Sequence, residues 1–177
     1  GGICSMGTLV DIHISNSTVS GNTADTSGGG IYNTGTVDIS HSTLSDNTAT
    51  TRGGGIYNYS GTVDISNSTL SGNQAPFGGG IYTNDTVNIS HSTFSGNTAT
   101  YGGSDGGGIY NNTGTVNLKN TIIADNTSND CTGTITSQGY NLIENPSGCT
   151  IIGDTTGNIT GHDPNLGPLQ YNGGPTW

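Results

Sequence analysis

The sequence predicts an all-β chain wound as a single-stranded, right-handed parallel β-helix, a β-solenoid of about six coils of 24–29 residues with three short strands to a coil. Three observations predict it. The chain repeats itself, as GGGIYNTGTVDISHSTLSDNTAT from Gly28, GGGIYNYSGTVDISNSTLSGNQA from Gly53, GGGIYTNDTVNISHSTFSGNTAT from Gly78 and GGGIYNNTGTVNLKNTIIADNTS from Gly106. Within each unit the segments TVDIS and STLS alternate apolar and polar residues, are rich in Val, Ile and Thr, and carry no helical stripe. Only 28% of the 177 residues are hydrophobic and 32 are glycine, too little for a thick globular core but enough for a thin one built coil by coil.

The strands fall at GIYN, TVDIS and STLS, separated by turns rich in Gly, Asn, Ser and Thr. Side chains alternate across a strand, so Ile31, Val37, Ile39 and Leu44 point inward, while Tyr32, Thr36, Asp38, Thr43 and Ser45 point outward. Coils pair in parallel about 4.8 Å apart, which stacks equivalent residues in columns. One core column is Ile14, Ile39, Ile65, Ile89 and Leu118, and a second is Val19, Leu44, Leu70, Phe94 and Ile123. Asn22, Asn47, Asn73, Asn97 and Asn126 form an amide ladder, since an amide donates to one neighbour and accepts from the other. Ala24, Ala49, Ala75 and Ala99 mark a position with room only for a small side chain, and the triple glycines permit positive φ at the corner.

The isoleucines of GGGI, Ile31, Ile56, Ile81 and Ile109, are spaced 25, 25 and 28 residues, differences that turns must absorb. Residues 1–127 are the regular coils; residues 128–177 form an irregular closing segment of the same domain. GGIC at the start matches GGIY, with Cys4 in the tyrosine column. Such a start within a coil predicts either a section of a longer solenoid or an end completed by another chain, and thereby a filament.

Charge excludes several functions. Net charge is −10, and the only basic side chains besides histidine are Arg52 and Lys119, so no basic patch exists for nucleic acid. No segment reaches the length of a spanning helix, and the first residues do not read as a signal peptide. Cys131 and Cys149 read as a disulfide, worth about 3 kcal/mol, and hence as a sign of an oxidising compartment. The alternative is two buried thiols. Cys4 is an intermolecular disulfide partner or an inert small side chain.

GGGI followed downstream by LSDN, LSGN or FSGN resembles the GGA-[ILV] and FxxN repeats of polymorphic outer-membrane proteins and related bacterial surface β-helices, over most of residues 1–126. The segments DCTGTITSQGYNLIENPSGC and DPNLGPLQYNGGPT are similar to the end of the β-helix in bacterial secreted proteins of the choice-of-anchor families. In those families the chain continues past NGGPT, so the resemblance implies a fragment or a processed subunit.

Candidates for chemistry are few. The outward column His13, Asp38, Asp64, Asn88 and Asn117 stacks two carboxylates about 5 Å apart, a spacing found in retaining glycosidases, but no cation belongs to it. A solvated strand face is the plainer reading. Calcium could use Asp25, Asp46, Asp105, Asp125, Asp130 and Asn129, although no calcium-loop motif is present, and no cofactor is expected. His41 and His91 are two coils apart, too far for one metal, and are expected to serve in structural hydrogen bonds. No GxSxG motif occurs. Tyr32, Tyr57, Tyr82 and Tyr110 form an outward ladder that would either bind sugars or a protein, or stack on itself and stiffen the face. Thr18, Thr43, Thr69 and Thr93 beside Ser20, Ser45, Ser71 and Ser95 form a flat T-x-S array like that of ice-binding solenoids, which is also ordinary covering for a low-charge rod. N-x-S/T triplets at Asn16, Asn58, Asn67, Asn84, Asn88, Asn111, Asn126 and Asn158 permit glycosylation without implying it.

The expectation is therefore a secreted or cell-surface structural solenoid, not an enzyme. It would be a subunit of a filament, sheath or stalk that assembles with copies of itself and touches surface polysaccharide. The alternatives are a glycan-binding adhesin using the tyrosine ladder and, more remotely, a polysaccharide lyase or hydrolase.

Overall fold

The computed structural model describes residues 1–7, 9–103 and 105–170; the NGGPT motif and Trp177 lie outside them. The chain is a parallel β-solenoid with no helix among the described residues. Five regular coils are followed by two shortened windings, Cys131–Ile143 and Gly148–Thr160. GIY, TVDIS and TLS form the expected strands, as at Ile31–Asn33, Thr36–Ser40 and Thr43–Ser45. A fourth strand of two residues, Thr48–Ala49 in that coil, carries the alanine column into its own small sheet.

Every pairing is parallel and in register with the repeat: Ile39 pairs with Ile65 and Ile65 with Ile89, while Leu44 pairs with Leu70 and Leu70 with Phe94. Cys131–Gln138 spans two strand positions at once and pairs with both Ile109–Asn111 and Thr115–Lys119, fusing two ladders into one twelve-stranded sheet. Seven-stranded and four-stranded sheets form the remaining walls.

The core is a narrow file of aliphatic columns. Ile31, Ile56, Ile81 and Ile109 are fully buried, as are Val37, Val63 and Val87, and the predicted columns through Ile39 and Leu44 stack beside them. Each such side chain stabilises the fold by roughly 2 kcal/mol. Glycine is required where the coils meet. A Cβ on Gly54 would lie 2.5 Å from the Gly79 carbonyl oxygen, and one on Gly53, at φ 62°, would lie 2.2 Å from that of Ile56.

Polar ladders run beside the aliphatic files. Asn22, Asn47, Asn73 and Asn97 each donate through Nδ2 to Oδ1 of the next asparagine at 2.9 Å, ending on Asn126. Asn126 then donates to Oδ1 of Asp130 at 2.9 Å, so an acceptor terminates a chain of donors. A second buried ladder joins Asn33 to Asn58 at 2.9 Å and Asn58 to Thr83 at 3.2 Å. In a third, the Ser42, Ser68 and Ser92 hydroxyls accept from the backbone N–H of Ser17, Ser42 and Ser68. A disulfide joins Cys131 to Cys149 across the two closing windings, with Cα atoms 5.5 Å apart.

Two expectations are corrected. Thr43 and Ser45 are buried rather than open to solvent, and residues 166–170 line clefts over the T-x-S face with Thr69, Ser71, Thr93 and Ser95. Leu169 shares a cleft with Thr18, Ser20 and Ser45, so the array is no open flat surface.

Candidate functional site

Cys4, Tyr32, Tyr57, Tyr82 and Tyr110 stand in strict register on one wall. Their ring centroids are 5.3 Å apart for Tyr32 and Tyr57, 5.6 Å for Tyr57 and Tyr82, and 4.9 Å for Tyr82 and Tyr110, the last pair stacked. A second rank covers them. Tyr59 sits 6.0 Å from Tyr57, Phe77 sits 5.8 Å from Tyr110, and Tyr101 sits 4.9 Å from Phe77. Arg52 and Phe77 are partners in the column just before the glycine corner, and the Arg52 guanidinium lies 5.4 Å above the Tyr82 ring.

Of the two readings of the tyrosine ladder, the rings make the contacts of self-stacking, and the covering leaves Tyr32 and Tyr110 half-buried. Tyr57 and Tyr82 are each only 6% exposed and serve to stack, whereas Tyr59 and Tyr101 are 54% and 73% exposed. Arg52 is also exposed. Accessible aromatic surface therefore comes from residues outside the repeated positions, which periodicity alone did not single out. Along one edge Asn84 donates to the Tyr57 hydroxyl at 3.3 Å and Asn112 donates to Asn84 at 3.0 Å. Burial raises the Tyr82 phenol above its ordinary value, with the Arg52 charge acting against it, and burial raises Tyr32 together with the neighbouring tyrosines.

The column His13, Asp38, Asp64, Asn88 and Asn117 is also in register, and from Asp38 onward it lines a shallow groove with Ser40, Ser66, Ser90 and Gln138. Hydrogen bonds run along it. His13 Nδ1 lies 2.8 Å from Asp38 Oδ2, Asn88 donates to Asp64 at 2.7 Å, and Asn117 donates to Asn88 at 2.8 Å. No basic side chain lines the groove. These bonds link His13 to Asp38 and join Asn117, Asn88 and Asp64, with no side-chain bond between the two carboxylates Asp38 and Asp64.

The calcium candidates do not assemble as a set. Asp105, Asn129 and Asp130 are buried, and Asp130 is engaged as the ladder terminus. Burial raises the Asp130 carboxyl, opposed by hydrogen bonds from Asn145 and Asn126. Asp125 instead meets Glu144 and Asp163, with one ligand atom of each within 4.8 Å of the others, a geometry able to reach a single cation. Burial and then the Glu144 and Asp163 charges raise the Asp125 carboxyl. His41 and His91 hold left-handed turns at φ 49° and 50°, shared with Asn16, Asn67 and Asn120, and His91 hydrogen-bonds Asn120 at 2.9 Å. Of the glycosylation triplets, Asn58 and Asn111 are buried with their amides bonded inside the fold.

In class this is a repeat protein whose features are distributed along a stacked β-solenoid. Four segments, residues 16–34, 41–59, 67–84 and 91–112, match the Chlamydia polymorphic membrane protein repeat, and together with the parallel β-solenoid they support a β-helix repeat protein resembling those proteins. The closing segment from residue 128 onward lies outside the matched residues. No curated protein and no solved structure matches the chain significantly. The matched repeat and the fold together mark a surface-associated protein.

Proposed function

We propose that this chain is a non-catalytic rod segment of a cell-surface stalk, sheath or filament, held outside the cell where its disulfide forms. The observation that carries this reading is the continuity of the Asn22 to Asp130 ladder, which links successive coils along the axis without a break. A lengthwise file of buried, mutually satisfied amides resists bending and slippage between coils. Neither arginine nor lysine lines the groove containing Asp38 and Asp64, where cleavage of acidic sugars requires cationic neighbours; its one ion pair is that of His13 with Asp38. Electron microscopy of the purified chain tests the proposal: straight rods or filaments are expected, and globular or collapsed particles overturn it. Release of reducing or unsaturated sugar ends from surface polysaccharides, lost in Asp64→Asn, would overturn its non-catalytic part.

A second reading is favoured by a separate observation, the exposed pair Tyr59 and Tyr101 on the aromatic wall. On this reading the rod is also an adhesin that stacks sugar rings there. Glycan-array binding that is lost in the Tyr59→Ala, Tyr101→Ala double variant supports it, and an array without binding removes it.

A further inference from the structure

Resting on the adhesin reading, we infer that the aromatic wall takes a carboxylated sugar chain of the polyuronate class, with Arg52 receiving the carboxylate between the exposed rings of Tyr59 and Tyr101. Arg52 is the chain's only arginine, in a sequence with 12 acidic residues and net charge −10. It is nevertheless not spent on a carboxylate, because the one ion pair among the described residues joins His13 to Asp38. The guanidinium rests instead on the Tyr82 ring, exposed, in a column otherwise held by Ser27 and Phe77.

That placement prepares a fork. Arg52 is held within cation–π reach of Tyr82 while its guanidinium is exposed, and an exposed guanidinium can meet a carboxylate bidentately. Tyr59 lies in the coil that Arg52 opens, and Tyr101 lies against Phe77 further along the axis. Two coil spacings amount to roughly 10 Å, so successive pyranose rings of an extended chain could meet both tyrosines with a carboxylate between them. The exposed amide of Asn112, beside Asn84, borders the wall with hydrogen-bonding capacity for sugar hydroxyls.

The net negative charge opposes a polyanion, but at physiological salt charges more than about 8 Å away are largely screened. The local guanidinium then dominates at the wall. Raising ionic strength moderately should therefore leave binding intact, unlike the steep salt dependence of a basic patch.

The test is titration calorimetry of the full chain with polygalacturonate and with its methyl ester, a neutral polymer of the same backbone. The wild type should bind polygalacturonate more tightly than the ester, and Arg52→Gln should weaken polygalacturonate by about tenfold while leaving ester binding unchanged. Unchanged thermal melting of the exposed-site variant separates this loss from unfolding. Equal affinity for both polymers, unaltered in Arg52→Gln, overturns the carboxylate assignment and leaves the adhesin reading standing. Binding of neither polymer, with no binding on a wider glycan array, overturns both.

Discussion

Asn73 is fully buried, and four partners depend on its one amide. Its Oδ1 accepts from the Asn47 backbone and side chain at 3.1 and 2.9 Å, and its Nδ2 donates to Asn97 Oδ1 and the Leu44 carbonyl at 2.9 Å each. Alanine at this position would orphan buried donors and an acceptor together, so Asn73→Ala should lose about 3 kcal/mol in urea denaturation. Glycine positions separate conformational strain from steric clash. Gly21 has φ 66° with nothing near its absent side chain, so Gly21→Ala should cost about 1 kcal/mol, the price of a left-handed alanine. Gly53→Ala meets the Ile56 carbonyl at 2.2 Å as well and should cost clearly more in the same measurement. Ionisation adds a pH term. Asp125 and Asp130 have carboxyls raised in the folded state, so the native chain takes up protons at a higher pH than the unfolded chain does. Their contribution thus improves as pH falls through the folded value and levels off below the unfolded value of about 4. Asp154, lowered by its hydrogen bonds to Thr156, works in the opposite sense but is fully exposed. The melting temperature should rise on acidification from neutral pH toward about pH 4, and Asp130→Asn should flatten that rise.

Strands and their faces were largely legible because the repeat states them several times over. Ile39, Ile65 and Ile89 recur in one context, and a period of two gives each an inward direction. The same period would also have turned Asn33 inward, two residues beyond Ile31, but an asparagine at a strand end reads first as a turn residue. The Asn33 and Ser42 ladders were missed for that reason, although they are as buried as the predicted one. The aromatic wall was half legible. Its inner tyrosines occupy a repeated column, whereas Tyr59, Tyr101 and Arg52 reach it from turns where the repeat carries no information. The clefts over the T-x-S face are lined by residues 166–170, far along the chain and outside the repeat, so no local pattern could announce them. The disulfide is local to the closing windings, where strand Cys131–Gln138 pairs with Gly148–Asp154. The Cys131→Ala, Cys149→Ala variant should lose up to about 3 kcal/mol. Hydrogen exchange should show the loss in 131–154 while the coils through 28–97 keep their protection; uniform loss along the whole rod would contradict this division.

At the scale of the whole molecule, each coil touches chiefly the coils above and below it, so stability is close to a sum of coil and interface contributions. Residues 53–77 make one complete winding, bounded by the paired positions Arg52 and Phe77. Removing them joins Arg52 to Gly78, the residue that followed Phe77, and brings Asn47 beneath Asn97, Leu44 beneath Phe94, and Ile39 beneath Ile89. Each new neighbour is of the same kind as the one it replaces, and the ladders close again. Removing residues 53–64 instead deletes half a winding and joins Arg52 to Ile65, which places a core residue where the glycine corner should be. Register then fails for every column beyond the cut. The 53–77 deletion should keep its β circular-dichroism spectrum and unfold cooperatively at a lower temperature than the intact chain, while the 53–64 deletion should not fold. If the full-coil deletion also failed to fold, stacking of interchangeable windings could not be what holds this rod together.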